Sequence, residues 1–322
     1  MNAITRVVAA AVCAIAFDAD GADIYPARPI RIIAPFPPGA GIDLVARMIG
    51  SPLSQALRQP VVVDNRPGAN GTIACDLTAN AAPDGYTLLL GNASTLAMAP
   101  GLYRKLPYDP VKSFAPITLV SASANVLVVH PSVKATTTAA FIALAKARPG
   151  QLNYGSAGTG NSTHLAAELF RMMTSIDIVH VAYKGTPAIF ADLLPGQIQL
   201  SFASLISTLP HVKQSRLRAL GVTSLKRAPS LPDVPSIDES GVKGYEVNVW
   251  QGFVAPARTP NSIISRLNAE IRSIVLSSDN RERFAAQGLD PVVDEPEHFR
   301  AYIAADVAKW VDVIRHAGIQ PE

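Results

Sequence analysis

The chain has 322 residues, of which 28 are Lys or Arg and 25 are Asp or Glu, giving a net charge of +3. A single hydrophobic core stops growing near roughly 250–300 residues, so this length predicts two lobes. Hydrophobic residues make up 48% of the chain and charged residues 16%, which excludes a disordered protein, and the small basic excess excludes a nucleic-acid groove.

The amino terminus has the pattern of a secretory signal peptide. Arg6 precedes residues 7–17, an uninterrupted apolar run. That run is too short for a membrane span of ~20 residues, but it suits the apolar region of a signal peptide. Cleavage is expected after Ala16 or near Ala22. We therefore expect residues 1–22 to be removed on secretion, with a buried N-terminal helix as the alternative.

The first third of the mature chain alternates between predicted strands and helices. Three short apolar runs bounded by turn residues predict strands, over residues 30–34, 61–64 and 86–90. A helix is expected to begin at Asp43, which serves as its N-cap. Alternation of this kind predicts right-handed parallel βαβ units.

A second alternating region follows, and helices without a sheet of their own end the chain. The later predicted strands include residues 125–130, 153–155, 179–182, 198–202 and 217–223. The final helices are expected to pack back on the first lobe, which would then comprise residues 23–122 and 251–322. Residues 123–250 would form the second lobe. The chain would cross between the lobes near 122–129 and 245–254, which predicts a hinge.

The most distinctive motif is a glycine-rich turn between a strand and a helix, NYGSAGTGNSTH at residues 153–164. Helix N-termini carry backbone N–H groups without acceptors, and glycine lets an anionic ligand approach them. Asn161 stands where a P-loop has lysine, and Thr163 where a dinucleotide fingerprint has its third glycine, which excludes both classes. A plain tight turn is the alternative. The candidate ligand-binding residues here are Ser156, Ala157, Gly158, Thr159, Gly160, Thr163 and His164.

A second candidate loop follows the first predicted strand and precedes the first helix. In open α/β sheets ligands bind beyond the carboxyl ends of the strands, and each lobe has one such loop. Two helix N-termini facing each other across a cleft suit a carboxylate. Asp43 is expected to cap its helix rather than to touch the ligand. The candidate ligand-binding residues of this loop are Phe36, Pro38, Gly39, Ala40 and Gly41.

The chain lacks the sequence signatures of an enzyme. It has no G-x-S-x-G motif, and its six histidines show no H-E-x-x-H spacing. We therefore expect no catalytic residue, no cofactor and no metal. An enzyme that uses Ser156 or His164 is the alternative, but no nucleophile, base and orienting group occur together in a known pattern.

Seven further segments carry a resemblance to a known family: YPARPI at residues 25–30, PFPPG at 35–39, NRPGANG at 65–71, PDGYTL at 83–88, LPYDP at 106–110, YKG at 183–185 and LPDVP at 231–235. Together with the loop at 153–164, they closely resemble the extracytoplasmic solute receptors of tripartite tricarboxylate transporters, often called Bug receptors. The resemblance extends over nearly the whole chain from Tyr25.

The resemblance implies an α/β, type II-like periplasmic-binding-protein fold. Each of its two lobes would be a mainly parallel sheet flanked by helices, and two crossing segments would form the hinge. It implies that the lobes close on a small organic carboxylate, held by backbone N–H groups and ordered waters at residues 36–41 and 156–163. It also implies delivery to membrane permease subunits; we expect the receptor itself to be a monomer. Three more residues complete the expected ligand-binding set: Asn92, Ser94 and Ser204.

The chain departs from the family pattern at several of these positions. Ala40 stands where glycine is frequent and Ile42 where threonine is common, which removes one donor and favours a less polar ligand. Residues 202–204, Phe-Ala-Ser, lack an aspartate that many members have, which disfavours an amino-acid ligand. The expected function is therefore capture of a small carboxylate for a permease, with a receptor that feeds a signalling partner as the alternative.

Overall fold

The computed structural model describes residues 25–321, so the predicted signal peptide lies outside the described residues. Eleven strands are present in the described part of the chain: β1 (Ile30–Ala34), β2 (Val61–Asn65), β3 (Thr87–Asn92), β4 (Phe114–Ala122), β5 (Asn125–Val129), β6 (Asn153–Ser156), β7 (Val179–Ala182), β8 (Leu200–Ser204), β9 (Arg218–Val222), β10 (Gln251–Pro256) and β11 (Asp290–Pro291).

Ten α-helices accompany these strands within residues 25–321: α1 (Gly41–Leu57), α2 (Thr72–Ala79), α3 (Ala99–Leu102), α4 (Thr138–Ala147), α5 (Ser162–Thr174), α6 (Thr186–Leu193), α7 (Leu205–Lys213), α8 (Asn261–Leu276), α9 (Ser278–Ala286) and α10 (Pro296–His316). A 3-10 turn, Ala69–Gly71, precedes α2, and a π-helical turn, Ser94–Met98, precedes α3. None of the helices in the described residues has the length and apolar character needed to cross a membrane.

The first sheet has the strand order β11-β4-β10-β3-β1-β2. β1 pairs in parallel with both β2 and β3, as the predicted βαβ units require. β10 runs antiparallel to β3 and β4, and β11 runs antiparallel to β4. The prediction of a mainly parallel sheet is therefore wrong, because the returning chain inserts β10 antiparallel into the middle of the sheet. The part of the molecule built on this sheet is called lobe 1 below.

The second sheet has the order β7-β6-β8-β5-β9, and the part built on it is called lobe 2. β6 pairs in parallel with β7 and β8, whereas β5 is antiparallel to β8 and β9. This sheet is also mixed rather than mainly parallel, because β5 enters it from the first sheet in the opposite direction. The fold is thus α/β with two mixed sheets flanked by helices.

Side chains along β3 alternate between two apolar layers, as expected for a strand buried on both faces. Leu88 and Leu90 belong to the layer that includes α1 and α8. Leu89 belongs to the opposite layer, which includes residues of α2 and α10. The second layer continues into lobe 2, where it includes Leu165 and Phe170 of α5. Helices α8 and α10 pack against β4 of lobe 1, and α10 also touches α5 of lobe 2.

Two extended segments connect the sheets and pair with each other. One links β4 to β5, and the other leads into β10. The Ser123 N–H donates to the Val249 carbonyl at 3.1 Å, and the Val249 N–H donates to the Ser123 carbonyl at 2.9 Å. Ala124 and Asn248 form an antiparallel bridge beside them. The two segments, called the crossing segments below, are therefore one short antiparallel ribbon.

Candidate functional site

The first candidate loop joins β1 to α1. Phe36 is half-buried, and Pro38, Gly39 and Gly41 are exposed. Gly39 has a φ of +85°, a conformation that glycine adopts without strain. No side chain within residues 25–321 caps α1, and the N–H groups of a first helical turn have no acceptor inside the helix. The loop therefore ends at an exposed helix N-terminus beyond the carboxyl end of β1.

Asp43 is not the N-cap of α1, so that prediction is wrong. The helix starts two residues earlier, at Gly41, with the half-buried Ala40 as its N-cap. Asp43 consequently lies within the first turn, where its carboxylate folds back and accepts a hydrogen bond from the Gly39 N–H at 2.8 Å. An acidic third residue that reaches back to a preceding N–H is a known way to fix a helix start. Asp43 therefore holds the loop in shape.

The Asp43 carboxylate is fully engaged by its neighbours. Arg47 approaches it at 3.0 Å and the Asn65 amide donates to it at 2.9 Å. The same Asn65 amide donates to the Phe36 carbonyl at 2.9 Å. Burial alone would raise the pKa of Asp43, but the hydrogen bonds from Arg47, Gly39 and Asn65 outweigh it and hold the pKa below its usual value. The charges of Asp43 and Arg47 cancel beside the loop.

The second candidate loop joins β6 to α5 and is held by its own side chains. The Asn161 side chain accepts from the Thr163 N–H at 2.9 Å and caps α5. The Thr163 hydroxyl accepts from the Ala157 N–H at 2.8 Å. Nδ1 of His164 accepts from the Gly160 N–H at 3.0 Å. Thr163 and His164 are both buried, so their side chains shape the loop from within.

The most accessible part of this loop is its tip. Thr159 is exposed, Ala157 and Gly158 are half-buried, and Ser156 is buried. Gly158 has a φ of +135°, and Gly160 one of +74°. These angles favour glycine and turn the backbone sharply before α5. The backbone of residues 157–159 is therefore the part of the loop that a ligand reaches first.

A cluster of rings behind the loop was not predicted from the sequence. The Ser156 hydroxyl lies 2.6 Å from Nε2 of His180. The His180 ring stacks on His164, with ring centroids 3.9 Å apart, and on Tyr154 at 4.9 Å. His180 comes from the neighbouring strand β7, so only the parallel register of β6 and β7 brings it beside Ser156. The distance is that of a nucleophile–base pair, but the Ser156 side chain is buried.

Glu168 supplies the buried charge of this cluster. Both of its carboxylate oxygens accept from Arg171 at 2.8 Å, and the Tyr154 hydroxyl donates to it. Nε2 of His164 lies 3.8 Å from the same carboxylate. Burial, assisted by the neighbouring His180, lowers the pKa of His164 to about 4, and burial also lowers the pKa of His180. His164 is therefore neutral near pH 7, with Nδ1 free to accept and its proton on Nε2.

The remaining predicted site residues lie at strand ends. Asn92 ends β3, and its side-chain oxygen accepts from the Thr95 N–H at 3.0 Å. Ser94 is half-buried in the turn that follows. Ser204 ends β8, is half-buried, and its carbonyl accepts from the Thr208 hydroxyl at 2.7 Å. Whether these residues touch a ligand stays a prediction, as it does for both loops.

The two lobes touch each other close to the second loop. A Cβ placed on Gly160 would lie 2.8 Å from Cδ2 of Leu102 in α3 of lobe 1. Gly288 of lobe 1 likewise packs against Ile206 of α7 in lobe 2. A cavity of about 80 Å³ between the lobes has Thr159 and Asn70 in its lining. The loop tip thus faces the turn at Ala69–Gly71, against which the Phe36 ring packs on the lobe 1 side.

Residues 25–321 contain no group of three or more His, Cys, Asp or Glu side chains arranged to hold a metal ion. Cys75 is a free, buried thiol. Burial raises its pKa to about 12, so it stays protonated at neutral pH. The candidate site is accordingly built from backbone, hydroxyl and amide groups.

Comparison with known proteins identifies the family. A family model described as tripartite tricarboxylate transporter family receptor matches residues 45–319. The chain belongs to this receptor family. Protein BugT of Bordetella pertussis is 39% identical over 298 residues, which cover 92% of this chain and 91% of BugT. The resemblance inferred from the sequence motifs is therefore confirmed.

Solved structures of relatives share the fold. The R. palustris protein Rpa4515, solved with adipate, has a TM-score of 0.74 and 34% identity over 92% of this chain and all of that one. MatC from Rhodopseudomonas palustris, solved with bound malate, has a TM-score of 0.69 and 29% identity. The alignment with MatC covers 90% of this chain and 100% of MatC. The two-lobed periplasmic-binding-protein fold is thus confirmed for this receptor.

Proposed function

We propose that this receptor binds a small organic carboxylate between its lobes. The observation that carries the proposal is the pair of strand-to-helix loops, one in each lobe, that end at the N-termini of α1 and α5. Helix N-termini attract carboxylates through free N–H groups and the helix dipole. The adipate in Rpa4515 and the malate in MatC support the same ligand class.

Attraction for the carboxylate comes from the backbone rather than from a charged side chain. The two cations that flank the first loop in sequence are both paired, Arg31 with Asp64 and Arg47 with Asp43. In the second loop, Asn161 and Thr163 are neutral hydrogen-bonding residues. Backbone dipoles already fixed in position bind an anion without the cost of ordering long side chains. The low charge of the chain is consistent with such a site.

Binding proceeds by closure of the lobes about the crossing segments. Each lobe supplies one loop, so a ligand gains both sets of contacts only in the closed form and shifts the population toward it. The contacts Leu102–Gly160 and Ile206–Gly288 lie on the surfaces that meet on closure. In this proposal lobe 1 comprises residues 23–122 and 251–322, and lobe 2 comprises residues 123–250.

The closed receptor acts in the periplasm and presents its ligand to the membrane permease subunits of a tripartite tricarboxylate transporter. The sequence pattern of residues 1–22 supports export, and membership of the receptor family supports the permease partner. Loss of cellular uptake of the bound carboxylate when the receptor gene is deleted is the expected result. Unchanged uptake with a lost transcriptional response would favour a signalling partner instead.

Replacement of Gly41 by proline tests the ligand site without disturbing the helix. Gly41 is the first residue of α1, and proline is favoured there because that N–H has no partner inside the helix. Ala40 has φ −66° and ψ 153°, which a residue before proline readily adopts. A Cβ at Gly41 meets no atom within 4 Å. Gly41→Pro therefore removes one exposed N–H and leaves the fold unchanged.

Isothermal titration calorimetry with adipate, malate and citrate measures the effect. We expect at least one of them to bind to the mature wild-type protein, and Gly41→Pro to weaken its binding roughly tenfold with an unchanged melting temperature. Ser278→Pro is the matched control, because Ser278 is the first residue of α9 and Ser277 has φ −61° and ψ 149°. Equal affinities for wild type and Gly41→Pro would exclude this N–H from the site. Absence of carboxylate binding, together with a co-purified ligand of another class in native mass spectrometry, would overturn the proposed function.

A further inference from the structure

Buried polar atoms without partners are concentrated at the ends of the crossing segments. Seven buried side-chain nitrogen or oxygen atoms lack a hydrogen-bond partner within residues 25–321. Three of the seven are Oγ of Ser121, Nδ2 of Asn125 and Oε1 of Gln251. These side chains belong to residues that are 0%, 2% and 8% exposed. An unpaired buried polar atom is costly, so three of them in residues at the ends of one short ribbon call for polar partners.

In lobe 1, two of these residues extend a polar row across the sheet. Gln251 is the register partner of both Asn92 and Ser121, so these residues lie side by side on β3, β10 and β4. Leu90 and Phe253, two residues away from Asn92 and Gln251, pack in the layer that contains α1. Because side chains alternate along a strand, Asn92 and Gln251 lie on that same side. The row therefore lies beside the N-terminus of α1, at the edge of the sheet where the parallel strands β1 and β3 end.

In lobe 2, Asn125 has a position equivalent to that of Gln251 in lobe 1. Asn125 begins β5 and is the register partner of Ser204 at the end of β8. Leu127 and Phe202, two residues away from them, pack in the layer that contains α5. By the same alternation, Asn125 and Ser204 lie on the α5 side of the sheet, at the edge where α5 begins. Both lobes thus place polar side chains beside their candidate loop.

The backbone pairing joins the two polar rows. Ser123, midway between Ser121 and Asn125, is hydrogen-bonded to Val249, two residues before Gln251. Ser121 and Asn125 are therefore about 13 Å apart or less along an extended chain, at roughly 3.3 Å per residue. In the proposed function the crossing segments form the floor between the lobes, and the residues with unpaired atoms lie at its two ends. We call Ser121, Asn125 and Gln251 the floor residues.

The chemistry of the floor residues selects an uncharged group. A hydroxyl and two carboxamides offer both donors and acceptors, and none of them carries charge. A carboxylate only accepts hydrogen bonds, so it would leave the carboxamide oxygen of Gln251 unpaired. A ligand hydroxyl both donates and accepts. It can therefore pair with Gln251 and Ser121 together, or with Asn125. The floor therefore complements a hydroxyl better than a second carboxylate.

We infer that the floor residues form a subsite for a hydroxyl group of the carboxylate ligand, with Gln251 and Ser121 as its lobe 1 side and Asn125 as its lobe 2 side. The inference rests on the proposed function, because it assumes that the carboxylate end is held at the two loops. It narrows the ligand class to hydroxylated carboxylates.

Calorimetry with matched ligand pairs tests the subsite. The probes are malate against succinate, and 3-hydroxybutyrate against butyrate, each pair differing by one hydroxyl. We expect wild-type protein to bind the hydroxylated member of at least one pair about tenfold or more tightly. In at least one of Gln251→Met and Asn125→Leu, that preference should fall to about threefold or less, while the affinity for the plain carboxylate stays within twofold.

The melting temperatures of the variants distinguish a role of Gln251 and Asn125 in ligand binding from a structural role. Removal of an unpaired buried polar atom leaves the ligand-free protein as stable as wild type or more stable, so neither variant should lower the melting temperature. Gln199→Met is the matched control, because Oε1 of Gln199 accepts from the Asn153 N–H at 2.9 Å, away from the crossing segments. It should lower the melting temperature and leave the hydroxyl preference intact.

The outcomes distinguish this inference from the proposed function. If carboxylates bind with the same hydroxyl preference to wild type and to both floor variants, the inference alone is overturned. Ordered water would then be the partner of the unpaired floor atoms. The inference alone is also overturned if wild-type protein binds succinate more tightly than malate and butyrate more tightly than 3-hydroxybutyrate. Failure of every carboxylate to bind would overturn the proposed function and the inference with it.

Discussion

Nδ1 of His164 accepts a hydrogen bond from the Gly160 N–H at 3.0 Å. This bond joins the first turn of α5 to the loop that leads into it, and it exists only while Nδ1 carries no proton. Burial keeps the pKa of His164 near 4. The shape of the second loop is therefore tied to the charge state of one buried imidazole.

Acidification should destabilise the receptor between about pH 6.5 and pH 4. The folded-state pKa of His164 is depressed, so the unfolded chain binds more protons in this window. The stabilising contribution is complete above pH 6.5 and is lost as the pH falls toward 4, at roughly 1.4 kcal/mol for each pH unit. Chemical denaturation at a series of pH values measures it.

His164→Asn is the informative comparison for this prediction. The asparagine side-chain oxygen takes the approximate place of Nδ1 and does not titrate. The variant should show a shallower loss of stability between pH 6.5 and 4, with the remaining slope contributed by His180, whose pKa is also lowered. An identical slope in wild type and variant would show that His164 does not carry the effect.

Removal of the Asp43 carboxylate should loosen the first loop. Asp43→Ala leaves the Gly39 N–H and the Asn65 amide without that acceptor and Arg47 without its partner. We expect a loss of about 2–4 kcal/mol in the free energy of unfolding, measured by urea titration, because a buried carboxylate with several partners is removed. Asp312→Ala, at an exposed pair with Arg315, should change it by less than about 1 kcal/mol.

Gly160→Ala should hinder the approach of the lobes. Its Cβ would lie 2.8 Å from Leu102 Cδ2 across the lobe boundary, and the residue has a φ of +74°. Gly318→Ala is the control, because Gly318 has a φ of +67° and a Cβ there meets nothing within 4 Å. The positive φ destabilises the folded state of both variants by about 1 kcal/mol. Only Gly160→Ala should have a larger radius of gyration than wild type, measured by small-angle scattering in saturating ligand. Equal radii would show that Leu102 moves aside.

Cys75 should resist thiol reagents in the folded protein. Its side chain is buried, and burial raises its pKa to about 12, so almost no thiolate is present at pH 8. Reaction with a disulfide reagent at pH 8 should be at least about 100-fold slower in buffer than in 6 M guanidinium. A rapid reaction in buffer would reveal local opening of α2.

The sequence was most informative where the signal is local. Short apolar runs bounded by proline and glycine predicted β1, β2 and β3, and the glycine-rich pattern before residue 162 predicted the start of α5. Asp43 was assigned as an N-cap because aspartate is favoured there. The Gly39-Ala40-Gly41 turn allows α1 to start earlier, which makes Asp43 a residue of the first turn.

Features that depend on strand pairing were missed. The direction of β10 between β3 and β4 is set by the path of the chain through lobe 2, and nothing in residues 251–256 encodes it locally. His180 lies 24 residues after Ser156 and meets it only through the register of β6 and β7. The partly exposed β7 gave no pattern that marked His180 as a neighbour of the loop.

The place of β10 in the first sheet also constrains the order in which the molecule assembles. β1, β2 and β3 are made early, but β3 and β4 have no strand between them until residues 251–256 have emerged. The second sheet needs only residues 125–222 and has all its strands sooner. The amino-terminal sheet is therefore completed last, and a chain halted before β10 leaves the edges of β3 and β4 unpaired and open to association with other chains.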